Sequence, residues 1–154
     1  MTNALTIRNP YAARIVAGVK TIENRTRPTQ VRGQILIHAG GQVHDGILTR
    51  ENPTRRPWQP SVDRLPRMAV IGAVNIASVH NALNCGDECI AYGGIRAEDG
   101  ERNGMAAVHH WMLSNPIQFV TPIPRVRGQL GIWTPDDRVQ HLASLAIAEV
   151  TGRG

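Results

Sequence analysis

The run from Met68 to Val79 is apolar and rich in Val, Ile and Ala, and it reads as a central strand. A strand of that kind needs partners, and shorter candidates flank it on both sides. Leu5 and Ile7 alternate with Thr6 and Arg8, which marks a first strand. Thr21 to Arg25 and Gln34 to Ala39 supply two more, the latter after an Arg32-Gly33 turn. Beyond the central run, His109 to Leu113 and Ile117 to Val120 are expected as strands around an Asn115-Pro116 turn. Gln129 to Trp133 follows Arg127-Gly128 as the last.

Two helices complete this reading. Asn9-Pro10 is predicted to cap a short helix whose apolar stripe is Ala12, Ile15 and Val16. Gly18 suits the left-handed position that ends it. Near the C-terminus, Thr134-Pro135-Asp136-Asp137 offers a cap, a proline and first-turn acids. Val139, Leu142, Ala143, Ala146, Ile147 and Val150 then recur at helical spacing, predicting an amphipathic helix packed on the domain. Residues 40–67 hold four of the ten prolines and five arginines, and read as an irregular loop with one helical turn near Asp45 to Thr49. Residues 80–107 read as an insertion of turns and short helix with an acidic cluster.

At 154 residues the chain is expected to form one domain. No apolar run reaches membrane-spanning length and the N-terminus lacks a signal-peptide pattern, so the cytoplasm is the expected compartment. A net charge of +5 favours anionic partners such as nucleic acid. The sequence fixes no oligomeric state.

Sixteen of the seventeen basic residues are arginine, and the lone lysine is Lys20. Lysine offers a compact ammonium that can lose its proton when buried, whereas arginine stays flat and charged. Lys20 lies just past the first helix, in Gly18-x-Lys20-x-x-Glu23-x-Arg25. Glu23 and Arg25, two apart on a strand, share one face. Lys20 reaches their side only from a turn or bulge.

Strand, capped helix and G-x-K-x-x-E-x-R in that order resemble the ASCH domain family of the PUA-like superfamily. The matching residues are Leu5 to Arg8, Asn9-Pro10-Tyr11-Ala12 and Gly18 to Arg25. Arg32 to Ala39, Trp111-x-Leu113 and Arg127 to Trp133 also resemble family strands. Asn9 stands where the family more often has glutamine. The resemblance implies an α+β fold: a PUA-like small mixed β-barrel flanked by helices. The resemblance covers roughly 1–39 and 109–134; with the loop 40–67 and the insertion 80–107 the domain is expected to cover 1–135, and helix 136–150, outside the resemblance, is expected to pack against it. It further implies a cleft holding Lys20, Glu23 and Arg25, with RNA, DNA or a modified nucleoside as ligand. Single-stranded RNA or a modified nucleoside is preferred, with no cofactor and no membrane partner. Some family members hydrolyse acylated cytidine or RNA, which makes an amidohydrolase or a ribonuclease with essential Lys20 the alternative. The amidohydrolase branch carries threonine where this chain has Glu23, so a threonine mechanism does not transfer. A third reading is a protein-interaction adaptor using the arginine-rich loop and the last helix.

The chemistry available to these residues is specific. As an ammonium, Lys20 would grip a phosphate or stabilise an oxyanion; as an amine, it would act as base or nucleophile. Glu23 would orient it or activate water, and Arg25 suits a bidentate phosphate contact. The structural alternative is a Lys20–Glu23–Arg25 ion cluster that closes the barrel. Arg8, Asn9 and Tyr11 complete the candidate ligand-binding set: a phosphate contact, a base-edge amide and a stacking ring. Trp111 and Trp133 read as core, Trp58 as an exposed stacking residue and His38 as a hydrogen-bonded structural histidine. Cys85-x3-Cys89, near His80 and His109-His110, falls within zinc-ligand spacing, but no second pair follows at familiar distance. Reduced thiols are expected there, and no metal is assigned.

Overall fold

The central apolar run is strand β4 (Ala69–Asn81) in a computed structural model that describes residues 1–43 and 64–152. The helical turn near Asp45 to Thr49 and Trp58 lie outside the described residues. Its companions are β1 (Ala4–Asn9), β2 (Ile22–Arg25), β3 (Gly33–Val43), β5 (His109–Ile123) and β6 (Ile132–Trp133). They form one mixed sheet in the order β2-β5-β4-β3-β1-β6, curved as a half-barrel. Only β1 and β3 run parallel; the other pairs are antiparallel. β4 therefore has a partner along each edge, as expected of the most apolar strand.

Alternation along β3 explains how the sheet buries both faces. Ile35 and Ile37 point into one core with Ile7, Ile71, Val74 and Trp111, beneath helix α1 (Tyr11–Val16). Leu36 points the other way, to Val70, Phe119, Trp133 and the residues Val139 and Ala143 of helix α4 (Asp137–Thr151). Between β4 and β5 lie a 3-10 turn (Ala82–Asn84) and the short helices α2 (Asp87–Ala91) and α3 (Ala97–Arg102).

Several local expectations are corrected. Asn115-Pro116 is no turn between two strands: β5 is continuous there, with Asn115 at φ 49°. Asn75 pairs with Ser114 and Ala73 with Ile117, so β5 carries one extra residue across this step. Proline is tolerated at such a bulge, where its missing N–H leaves no rung unpaired. Asn9 is not a helix cap; it ends β1, and Pro10 occupies the cap position without a side-chain hydrogen bond. The last helix is capped by Asp136, which accepts from Val139 N at 2.9 Å, rather than by Thr134. β6 is only two residues long, not the five expected from Gln129.

Candidate functional site

Gly18, at φ 77°, turns the chain out of α1, and the Val19 and Lys20 amides donate to the Arg14 carbonyl. Lys20 thus sits in the connection before β2, as the motif spacing requires. Its side chain is only 9% exposed and donates from Nζ to the carbonyls of Ile22 and, at 3.1 Å, Gly93. Gly93 comes from the connection after α2. With φ 98°, it adopts a backbone shape that favours glycine, and a Cβ there would lie 2.9 Å from Lys20 Cγ. Asn24 reinforces the join: Nδ2 donates to Gly93 O at 2.9 Å, and Oδ1 accepts from Ile95 N at 3.0 Å.

Glu23 and Arg25 share a face of β2, and Arg25 Nε lies 3.1 Å from Glu23 Oε1. Arg25 also donates from a terminal nitrogen to Thr6 O at 3.0 Å, and its guanidinium stands 5.8 Å from the Trp111 ring centroid. Lys20 Nζ is 5.8 Å from the centroid of Tyr11. Burial pushes the Glu23 carboxyl pKa up, with Arg25 and then Lys20 opposing that shift. Burial pushes the Lys20 pKa down, opposed by Glu23 and assisted by Arg14. Both groups are therefore moved toward their neutral forms.

Beside this cluster opens a cleft of about 460 Å³. Thr6, Ile7 and Arg8 of β1 form one wall with Tyr11, and Glu23, Asn24 and Arg25 form another. Gly40, Gly41 and Gln42 at the end of β3, and Gln129 to Gly131, complete it. Four of the six expected site residues, Arg8, Tyr11, Glu23 and Arg25, meet here. Lys20 and Asn9 do not line the cleft. Asn9 is fully buried and donates from Nδ2 to Pro66 O at 2.7 Å. Asn24 and Gly93 were not singled out by sequence reasoning, because their roles depend on a contact across about seventy residues of chain. Gln129 did carry a signal, standing just after Arg127-Gly128.

The remaining candidates divide clearly. Trp111 and Trp133 are buried, donating to Arg27 O and Thr6 Oγ1 respectively. His38 is fully buried on β3 with Nε2 2.6 Å from Val126 O, a structural histidine as expected. Cys85 and Cys89, expected as free thiols, are joined as a disulfide, and His80 and His110 converge on them. The acidic insertion contributes surface ion pairs, Arg96 with Asp87 and Arg102 with Asp99.

A curved mixed sheet between two helices, with a mixed-charge cleft toward the C-terminal ends of β1 and β2, defines a small α+β half-barrel module. The chain belongs to the ASCH family: the ASCH domain model matches residues 5–123. Among solved structures, the chain is similar to the ASCH protein of Zymomonas mobilis, with 17% identity and a TM-score of 0.61. That match covers 94% of both chains. A serine-to-alanine mutant of the same protein matches at 16% identity and TM-score 0.60, over 94% of this chain and 95% of that one. A tyrosine-to-phenylalanine mutant matches at 17% and 0.60, over 94% and 97%. No curated protein matches the chain. The fold is thus the expected α+β, PUA-like one. Among the described residues, no helix is long and apolar enough to cross a membrane.

Proposed function

We propose that the cleft binds a nucleotide unit of single-stranded RNA, or a modified nucleoside, between Arg8, Tyr11 and Arg25. The observation that carries this reading is the cleft itself. Its 460 Å³ lies within the few-hundred-Å³ range of small-ligand sites, and it joins two guanidinium groups, an aromatic ring and several amides. Arginine matches phosphate geometry, an aromatic face accepts any base, and amides read base edges. The net charge of +5 supports an anionic ligand. ASCH domains in general are associated with nucleic-acid binding, which agrees with this chemistry.

Fluorescence anisotropy with labelled single-stranded RNA, and calorimetry with nucleosides, test the proposal. Saturable binding that weakens in a folded Arg8→Ala variant is expected. Absence of binding to every RNA and nucleoside tried removes the reading.

One observation favours a hydrolytic second reading. Glu23 is a buried carboxyl that lines the cleft and whose pKa is raised by burial, a combination suited to general base catalysis. Lys20, behind it, would position Glu23 rather than touch substrate. Incubation of wild type and Glu23→Gln with RNA and N4-acylated cytidines, followed by product mass spectrometry, decides it. Product that depends on Glu23 supports an enzyme, and no product leaves binding alone.

A further inference from the structure

The segment between β4 and β5 has little of its own to hold it together. Its helices have five and six residues and its 3-10 turn three, all too short for intrinsic stability. Leu83 and Tyr92 are 78% and 57% exposed. Yet Gly93, in this segment, accepts from both Lys20 and Asn24, so its position fixes the motif lysine. Something must anchor it.

Four side chains converge there. His80 and His110 face each other in the β4–β5 register, with rings perpendicular and centroids 5.1 Å apart. Cys85 follows the 3-10 turn, and Cys89 lies in α2, 4% exposed. One ligand atom from each of the four lies within 4.8 Å of every other. His80 Nε2 is 3.2 Å from His110 Nδ1 and 3.5 Å from Cys89 Sγ. Ordinary Zn–N and Zn–S bonds arranged tetrahedrally place two nitrogens roughly 3.3 Å apart and a nitrogen and sulfur roughly 3.6 Å apart. The observed separations match both.

The outer contacts agree. His110 Nε2 lies 2.8 Å from Ile95 O, so the proton belongs on Nε2 and the Nδ1 lone pair faces the cluster. His80 Nε2 can carry one hydrogen, and that hydrogen cannot point at both His110 Nδ1 and Cys89 Sγ. A cation between them satisfies all three atoms.

We propose that the reduced chain holds one Zn²⁺ in a closed, structural Cys2His2 site formed by His80, Cys85, Cys89 and His110. Two thiolates and two imidazoles are the donor set that selects this borderline-soft ion. The disulfide form is its metal-free counterpart. A dithiol reductant opens the Cys85–Cys89 bond, delivering two electrons and two protons and becoming a disulfide itself. Each freed thiol then gives up its proton as its sulfur bonds to zinc. The ion would join β4, β5 and α2 and thereby hold the Gly93 carbonyl against Lys20.

The test uses the full chain, purified without chelator and kept reduced with a phosphine. Elemental analysis is expected to find one zinc per chain. Cobalt(II) titration of the reduced apoprotein should give the intense visible bands of a tetrahedral thiolate site, saturating at one equivalent. Cys85→Ser, at a half-buried position that serine fits, and His80→Ala should each weaken cobalt binding by at least about tenfold. Reduced wild type that binds neither zinc nor cobalt stoichiometrically overturns the site. So does an unchanged cobalt spectrum in Cys85→Ser. The cobalt titration of wild type needs no variant to fold.

Discussion

Lys20 donates to the Gly93 carbonyl at 3.1 Å, which ties the motif lysine to the segment behind it rather than to the cleft. Loss of two charge-assisted hydrogen bonds, one buried and one partly buried, in Lys20→Ala should destabilise the fold by about 2–4 kcal/mol. Lys20→Arg should recover little, because Gly93 backbone packs against the slim lysine stem and leaves no room for a planar fork. Urea denaturation reads both effects. A Lys20→Arg variant as stable as wild type contradicts this placement.

The same contact predicts an effect at its other end. Gly93→Ala forces a side chain onto φ 98° and sets its Cβ against Lys20. A cost of about 1–3 kcal/mol is expected. Combining it with Lys20→Ala should cost less than the sum of the two single changes, because the clash is gone.

Arg25→Ala should be the most damaging single change at the cleft. It leaves the buried Glu23 side chain, 11% exposed, without its 3.1 Å partner, and breaking such a pair costs about 3–5 kcal/mol. Glu23→Gln added to Arg25→Ala should restore part of that stability, since the buried group can no longer ionise. Thermal melts of the single and double variants at neutral pH make the comparison. A double variant no more stable than Arg25→Ala alone would show that the Glu23 charge is not the source of the loss.

Much of this site was legible because it is local. Glu23 and Arg25 share a face through strand periodicity, and Gly18 takes the left-handed shape its position demanded. Lys20 was correctly placed off the strand, but its direction was not readable. It depends on Gly93, seventy-three residues away. The Asn115-Pro116 pair misled for a different reason. Turn chemistry and bulge chemistry use the same residues, and only the pairing with β4 decides between them. The histidine–cysteine cluster was legible in part: its residue types and spacing stand in the sequence, but His110 becomes a neighbour of His80 only through the strand register.

Arg8 separates binding from folding. It is exposed at the cleft wall, so Arg8→Ala should leave stability within about 0.5 kcal/mol of wild type. If it contacts a phosphate of single-stranded RNA, the slope of log K against log salt should fall in magnitude by about 0.7. Anisotropy titrations at several salt concentrations measure it. An unchanged slope places the phosphates elsewhere.

His38 gives the fold a pH dependence whose sign can be worked out. Burial holds its pKa below the ordinary 6.5, with the hydrogen bond to Val126 opposing that shift. Between the lowered folded value and 6.5 the unfolded chain binds more protons, so stability rises with pH in that window. It is therefore lost as pH falls through 6.5 and levels off below the folded value. Among the described residues, His38 Nδ1 has no hydrogen-bond partner, so a second proton gains nothing there. His38→Gln retains an N–H donor for the Val126 carbonyl but does not titrate. Its denaturation free energy should fall less steeply than that of wild type between about pH 7 and pH 5, where one such group contributes up to about 1.4 kcal/mol per pH unit. Taking the difference between the two proteins cancels the other histidines. Parallel curves would mean that His38 takes up its proton as readily in the folded chain as in the unfolded one.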